Sequence, residues 1–231
     1  MPSRSLVTRV LVLAFSLGLT AQLHGTGGPD PSTLRVTAAP RELVVVFDDL
    51  PEWEVLAASR PRDADLLVLD GRGDGLKQLA THLRHRRGLE AIHVLSHGAP
   101  GSVRLGSRSI DAASVEADAE ALATIGASLV ADGDLLLYGC EVAGTAAGGE
   151  LLARLAEATG ADIAASTDLT GAAALGGNWH LEARHGDVAS HLAYAVPTYP
   201  HVLPTTLVPG DIVVLGWSAF TDTITLATLT D

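Results

Sequence analysis

The single cysteine of the chain, Cys140, and a histidine, His97, each come at the end of a strongly apolar run. A thiol attacks as its thiolate, and a neighbouring imidazole can take its proton, so these two residue types suit nucleophilic catalysis. Because they lie far apart in the sequence, they can pair only if the fold brings two strand ends together. We predict Cys140 as the nucleophile and His97 as the general base. The alternative is a buried structural thiol, as free cysteines often are.

Glycines flank this predicted pair: Gly98 follows His97, and Gly139 precedes Cys140. Glycine has no side chain to keep a substrate backbone at a distance. A thiol nucleophile also needs donors aimed at the oxyanion that develops on the attacked carbonyl. The backbone amides of Gly98 and Cys140 are therefore the predicted oxyanion donors.

Two carboxylates are expected near the same site. Asp48 and Asp168 follow predicted strands, and in a crevice there they could select a basic side chain of a substrate. Turn capping is the alternative for each aspartate. The histidines lack partners at zinc spacing, and the glycines of residues 144–149 are not followed by the lysine of a phosphate loop. We therefore expect neither a metal nor a cofactor.

The elements that must position these residues alternate between strand and helix. Apolar runs predict strands at 43–47, 65–69, 91–96, 134–138 and 161–165, a further strand at 179–183, and a hairpin at 102–110. Apolar residues at helical spacing predict helices at 75–87, 112–129 and 150–159. This order predicts an α/β fold with a mainly parallel sheet flanked by helices. Sites in such sheets lie beyond the carboxyl ends of the strands, where His97 and Cys140 fall.

Two of these strand ends resemble a known signature. The segments IHVLSHG, Ile92–Gly98, and DLLLYGC, Asp134–Cys140, are similar to the paired motif of the caspase-like cysteine peptidases. That group includes caspases, metacaspases, gingipains, legumain, separase and CHAT domains, in which one core strand ends in His-Gly and the next in the nucleophilic cysteine. The resemblance implies a three-layer sandwich, catalytic roles for His97 and Cys140, and a protein or peptide substrate.

A longer resemblance runs from Glu42 to Asp187. The phrases HVLSHGAPGSVRLG, LLLYGCEVA and ADIAASTDLTGAAALGGNWHLE are similar to a family of uncharacterised bacterial domains. Those domains are found near the N-terminus of large secreted adhesins that carry cadherin-like or immunoglobulin-like repeats. The resemblance implies an exported protein with a role at the cell surface.

The N-terminus has the pattern of a signal peptide, residues 1–23. Arg4 and Arg9 form a basic start, and the apolar run Val10–Leu19 is short for a membrane span. The alternative is an uncleaved anchor. A Gly-, Pro- and Thr-rich linker, 24–40, precedes the α/β domain at 41–204, and residues 205–231 begin a short β-rich module. We expect a secreted or cell-surface protein with no stable membrane span after signal removal.

The net charge of the chain limits the kinds of partner that it is expected to bind. The formal net charge is −12 over 231 residues, which disfavours nucleic acid because phosphates require a basic surface. The sequence therefore predicts a secreted cysteine endopeptidase that cuts itself or another surface protein. The alternative is a non-catalytic export or adhesion module that has kept the fold.

Overall fold

The computed structural model of the protein describes residues 41–189, 194–204, 212–218 and 223–228. The predicted signal peptide and linker lie outside these ranges. The strands are β1 Glu42–Phe47, β2 Ala64–Leu69, β3 Leu89–Leu95, β4 His97–Ala99, β5 Ser102–Leu105, β6 Arg108–Asp111, β7 Leu129–Tyr138, β8 Asp162–Ala165, β9 Ala183–His185, β10 Ile212–Ser218 and β11 Thr223–Thr228. The α-helices are α1 Trp53–Ala58, α2 Gly75–Leu83, α3 Ala119–Gly126 and α4 Ala146–Thr159.

The main sheet has six strands in the order β2-β1-β3-β7-β8-β9. The first five are parallel, and β9 pairs antiparallel with β8 at the edge. Residues Leu43–Phe47 of β1 are all buried, as expected of an apolar strand covered on both faces. The predicted mainly parallel sheet is confirmed, and β10 and β11 form a small antiparallel pair in the predicted β-rich C-terminal segment.

Helices cover both faces of the sheet and produce the predicted three layers. The connection from β1 to β2 contains α1 and runs toward the β2 edge of the sheet. The later connections, which carry α2, α3 and α4, run in the opposite direction. Because parallel crossovers are right-handed, α1 lies on one face and the other three helices lie on the opposite face. Contacts between α2 and α3, and between α3 and α4, agree with this arrangement.

The predicted helix at 112–129 is wrong in its first half. The Asp111 carboxylate accepts a hydrogen bond from the Ser114 amide at 2.8 Å, which holds this stretch in a turn. A 3-10 helix follows at Val115–Asp118, and α3 then ends at Gly126. The Asp118 carboxylate accepts two hydrogen bonds from the Arg108 guanidinium, at 2.7 and 2.9 Å. These bonds hold the junction between the 3-10 helix and α3 against β6. An apolar stripe alone does not reveal such side-chain bonds.

Other element ends also differ from the predictions. The six-residue helix α1 was not predicted, because it is too short to show a helical stripe. Helix α2 ends at Leu83, four residues earlier than expected, while α4 begins at Ala146 behind the capping hydroxyl of Thr145. The expected sixth strand at 179–183 is displaced to β9. These differences do not affect the ends of β3 and β7, which lie within one residue of the predicted ends.

Aromatic side chains fill the face that α1 covers. The rings of Tyr138 and Tyr194 lie 5.8 Å apart, and Trp179 is 6.4 Å from Tyr138 and 6.0 Å from Tyr199. The Tyr194 hydroxyl donates to the Leu56 carbonyl in α1, and the Tyr138 hydroxyl accepts from the Tyr194 amide at 3.2 Å. The segment Tyr194–Pro204 is thereby packed beside α1. Within the described ranges, no helix has both the length and the apolar character needed to cross a membrane.

The close approach of α3 to α4 gives a test of the packing. A Cβ added at Gly126 would lie 1.8 Å from the Thr159 carbonyl oxygen. We expect Gly126→Ala to lower the free energy of unfolding by about 1–3 kcal/mol, because the backbone must shift to relieve the clash. Gly149, on the exposed side of α4, has nothing within 4 Å of such a Cβ. Gly149→Ala is the control and should raise stability by about 0.5–1 kcal/mol in urea unfolding. Equal effects of the two substitutions would contradict this packing.

Candidate active site

The site forms where β3 and β7 leave the sheet side by side. Their parallel register ends with Leu95 opposite Tyr138. The Ser96 amide then donates to the Tyr138 carbonyl at 3.1 Å, which extends the pairing by one step. The second halves of both strands are buried, so their carboxyl ends are held in fixed positions. The sheet therefore brings His97-Gly98 next to Gly139-Cys140, as the sequence predicted.

The two strand ends touch through their glycines. A Cβ at Gly98 would lie 2.5 Å from the Cys140 carbonyl oxygen, and one at Gly139 would lie 3.1 Å from the Gly98 Cα. A Cβ contact as short as the first would force the backbone to move. Gly98 is thus required by the approach of the two backbones, which places its amide beside that of Cys140.

Those two amides share one acceptor. The Gly98 N–H donates to the Leu203 carbonyl oxygen at 2.9 Å, and the Cys140 N–H donates to the same oxygen at 3.3 Å. These are the two groups that the sequence predicted as oxyanion donors. Both N–H groups therefore point at one carbonyl oxygen close to the thiol.

The thiol of Cys140 is fully buried and bonded to backbone. The Thr170 amide donates to Sγ at 3.3 Å, and the S–H group donates to the Thr170 carbonyl at 3.6 Å. Burial raises the pKa of the Cys140 thiol, while the amides of Thr170 and Leu203 act in the opposite direction. The carboxylates of Glu141 and Asp168 raise it further. The thiol is therefore protonated at rest.

The imidazole of His97 is also buried, with 5% of the residue exposed. Its Nδ1 donates to the Pro204 carbonyl oxygen at 2.8 Å, which leaves Nε2 as the unprotonated nitrogen of the neutral ring. Burial lowers the pKa of His97, an effect that the nearby Asp49 charge opposes. Among the described residues, the hydrogen-bond partners of both the imidazole and the thiol are backbone groups rather than each other. The structure therefore places the two residues in one site but does not join them as a dyad.

The side chains of Asp48 and Asp168 are both hydrogen-bonded within the domain. Asp48 accepts from the Gly71 amide at 2.8 Å and so fixes the loop after β2. Asp168 accepts from Asn178 Nδ2 with both oxygens at 2.9 Å, and from Ser166 at 3.3 Å. Both aspartates therefore join segments that are well separated in sequence. A role for either aspartate in selecting substrate stays a prediction.

Two contributors to the site were missed by the sequence analysis. Thr170 bonds the thiol through its backbone, and Leu203 supplies the carbonyl that the two amides share. Both act through main-chain atoms, so their side-chain identities carry no signal of the role. In the described part of the chain, no three metal-binding side chains come together.

The domain is an α/β sandwich with a thiol and an imidazole at the carboxyl ends of neighbouring strands. Comparison with known protein families gives one match. Residues 43–203 match the model of DUF4347, a domain of unknown function, and the chain belongs to this family. Searches of curated proteins and of solved structures found no match.

Burial of the imidazole and the thiol predicts how stability depends on pH. The pKa of His97 is lowered from 6.5 on folding, so below that pH the unfolded chain takes up a proton that the folded protein does not. The pKa of Cys140 is raised from 9.0, so above that pH the unfolded chain loses a proton that the folded protein keeps. These two groups should therefore lower stability below pH 6.5 and above pH 9.0.

Urea unfolding across this pH range, followed by circular dichroism, checks the prediction. His97→Gln should flatten the acid limb of the stability curve, and Cys140→Ala should flatten the alkaline limb. Limbs identical to those of the wild type in both variants would show that neither group titrates as its burial implies.

Proposed function

We propose that this domain is a caspase-like cysteine endopeptidase, exported from the cell, that acts on its own chain or on another surface protein. Cys140 is the nucleophile, His97 is the general base, and the amides of Gly98 and Cys140 hold the oxyanion. The observation that carries the proposal is the convergence of these two amides on one carbonyl oxygen, that of Leu203, beside the buried thiol. In this proposal, a substrate carbonyl takes the place of the Leu203 carbonyl and accepts the same two N–H groups.

The reaction follows from these positions. With a substrate carbonyl in place of Leu203, the neutral His97 imidazole takes the thiol proton as Sγ attacks the carbonyl carbon. The two N–H groups then stabilise the oxyanion. As the C–N bond breaks, the imidazolium returns the proton to the leaving nitrogen. Water, activated by the same imidazole, hydrolyses the thioester and frees Cys140.

The protonation states at rest fit this order of events. The lowered pKa of His97 keeps the ring neutral near pH 7, and a neutral ring is the form that accepts a proton. The raised pKa of Cys140 means that the thiolate forms during attack and not before it. Approach of the imidazole to the thiol is therefore a required step of the reaction.

Export is supported by the sequence. The basic and apolar pattern of residues 1–23 is typical of a signal peptide, and the resemblance to the N-terminal domains of large secreted adhesins points the same way. The net charge of −12 is compatible with a protein or peptide partner and disfavours nucleic acid. We therefore place the proposed activity outside the cytoplasm or at the cell surface.

A non-catalytic export or adhesion module is the second candidate. The specific observation that favours it is the complete burial of Cys140, whose thiol already has backbone partners. In that case the cysteine packs the core, and the contacts of Leu203 serve stability alone. The two functions differ in one measurable property, the reactivity of the folded thiol.

Thiol labelling separates these functions. The full chain is treated with a thiol-selective peptide electrophile, an acyloxymethyl ketone, and modification of Cys140 is followed by mass spectrometry. We expect time-dependent labelling of the wild type, and labelling about 100-fold slower in His97→Ala, because a general base contributes about 10²–10⁴. Cys140→Ala should not be labelled and should show no Cys140-dependent fragments.

Labelling after unfolding in urea controls for the chemistry of the reagent. His82→Ala is the matched histidine control, because His82 lies in α2 and away from the site. A folded wild type that resists labelling, or one that labels at the same rate with and without His97, would favour the non-catalytic module.

A further inference from the structure

The segment Tyr199–Pro204, called here the resident segment, crosses the candidate site in an extended conformation. The Ala172 amide donates to the His201 carbonyl at 2.8 Å, and the Leu203 amide donates to the Thr170 carbonyl at 3.0 Å. Val202 forms an antiparallel bridge with Gly171. Addition of an extended segment to an exposed backbone edge is a common mode of peptide recognition. The resident segment therefore occupies the site as a bound peptide would.

Leu203 lies at the reactive position of this segment. Its carbonyl oxygen accepts from both proposed oxyanion donors, its amide is bonded to Thr170, and its side chain is completely buried. Burial of a charged side chain in the same place would need a partner charge, whereas an aliphatic one gains from the loss of water. The site is thus built to hold an aliphatic side chain next to the attacked carbonyl.

Pro204, the residue after Leu203, contacts the imidazole of His97. Pro204 has a nitrogen without hydrogen, enclosed in its ring, and its carbonyl oxygen accepts the Nδ1 proton of His97. The imidazole is thereby engaged by the segment rather than by the thiol. The Leu203 carbonyl occupies the proposed oxyanion position, while the thiol is hydrogen-bonded to the Thr170 backbone instead of to the imidazole.

Contacts outside the site hold the resident segment in place. The Tyr199 hydroxyl donates to the Pro51 carbonyl at 2.8 Å, and His201 Nε2 lies 3.1 Å from a Glu52 oxygen. The His201–Glu52 pair is solvent-exposed, so it can be removed without opening a cavity in the core. The family match also ends at residue 203, so the resident segment up to the shared carbonyl belongs to the family domain.

We propose that the resident segment is a built-in substrate-like strand that closes the peptide cleft, and that the cleft takes an extended peptide with an aliphatic residue on the acyl side of the cleaved bond. This inference rests on the proposed peptidase function and adds its substrate class and its control. A substrate must displace Leu203, and its carbonyl then inherits the two hydrogen bonds that Leu203 gives up. The exchange leaves no buried N–H unpaired.

The substrate class is tested with three electrophiles that share one warhead. Acyloxymethyl ketones of acetyl-His-Val-Leu, acetyl-His-Val-Arg and acetyl-His-Val-Asp are compared on the full chain by their rates of labelling at Cys140. The Leu reagent repeats residues 201–203 and should react about tenfold faster or more than the charged ones. Equal rates, or a preference for Arg or Asp, would overturn the inference while the peptidase function stands.

The closed cleft is tested with variants that loosen the resident segment. His201→Ala removes the exposed pair with Glu52 and should speed labelling by the Leu reagent by about two- to fivefold. Leu203→Ala removes the buried side chain and should speed it by more than about tenfold. If Leu203→Ala fails to fold, His201→Ala alone decides. Wild-type rates in the folded variants would overturn the inference.

Leu83→Ala is the matched control, because Leu83 is an equally buried leucine in α2. It should leave the labelling rate within about twofold of the wild type. An acceleration equal to that of Leu203→Ala would show general loosening and overturn the inference. No labelling of Cys140 in any folded variant, with labelling in urea, would instead overturn the peptidase function itself.

Discussion

The contact between Gly98 and the Gly139–Cys140 backbone is the constraint on which the site depends. A Cβ on Gly98 would come within 2.5 Å of the Cys140 carbonyl oxygen, so the two strand ends can meet at this distance only through glycine. The meeting aligns the amides of Gly98 and Cys140. Two N–H groups aimed at one point need an acceptor, because a buried donor left unpaired costs about 1–3 kcal/mol. The Leu203 carbonyl supplies it.

That need for an acceptor links the site to the rest of the fold. Leu203 reaches the site because the preceding chain is held to α1 through Tyr194 and to the turn before α1 through Tyr199. With Leu203 in place, the imidazole and the thiol are shielded from water. Burial lowers the pKa of His97 and raises the pKa of Cys140, and both shifts favour the neutral form of the group. The packing of Leu203 therefore both pairs the two amides and buries the two side chains. In the proposed reaction, a substrate carbonyl that replaces Leu203 would keep the two amides paired.

Strand periodicity predicted the parts of the fold that depend on local sequence. The apolar runs of β1, β3 and β7 are buried whatever the details of the loops, so the existence of these strands and the mainly parallel sheet followed from the pattern. Helix ends were less predictable, because side-chain bonds such as that from the Ser114 amide to Asp111 override an apolar stripe. The displaced sixth strand and the short helix α1 have a different explanation, because β9 and α1 are too short to show a clear hydrophobic period.

For the candidate site, the sequence by itself determined the residue types and their placement at two strand ends. His97, Gly98 and Cys140 could be named because a parallel sheet brings the carboxyl ends of neighbouring strands together. The tertiary structure alone decided what fills that place. The Leu203 carbonyl, the Thr170 backbone and the Pro204 carbonyl reach the site through main-chain atoms, which are identical in every residue and leave no mark in the sequence. Whether the imidazole faces the thiol or a backbone oxygen is likewise set by the chain that packs over it, more than 100 residues from His97 in sequence.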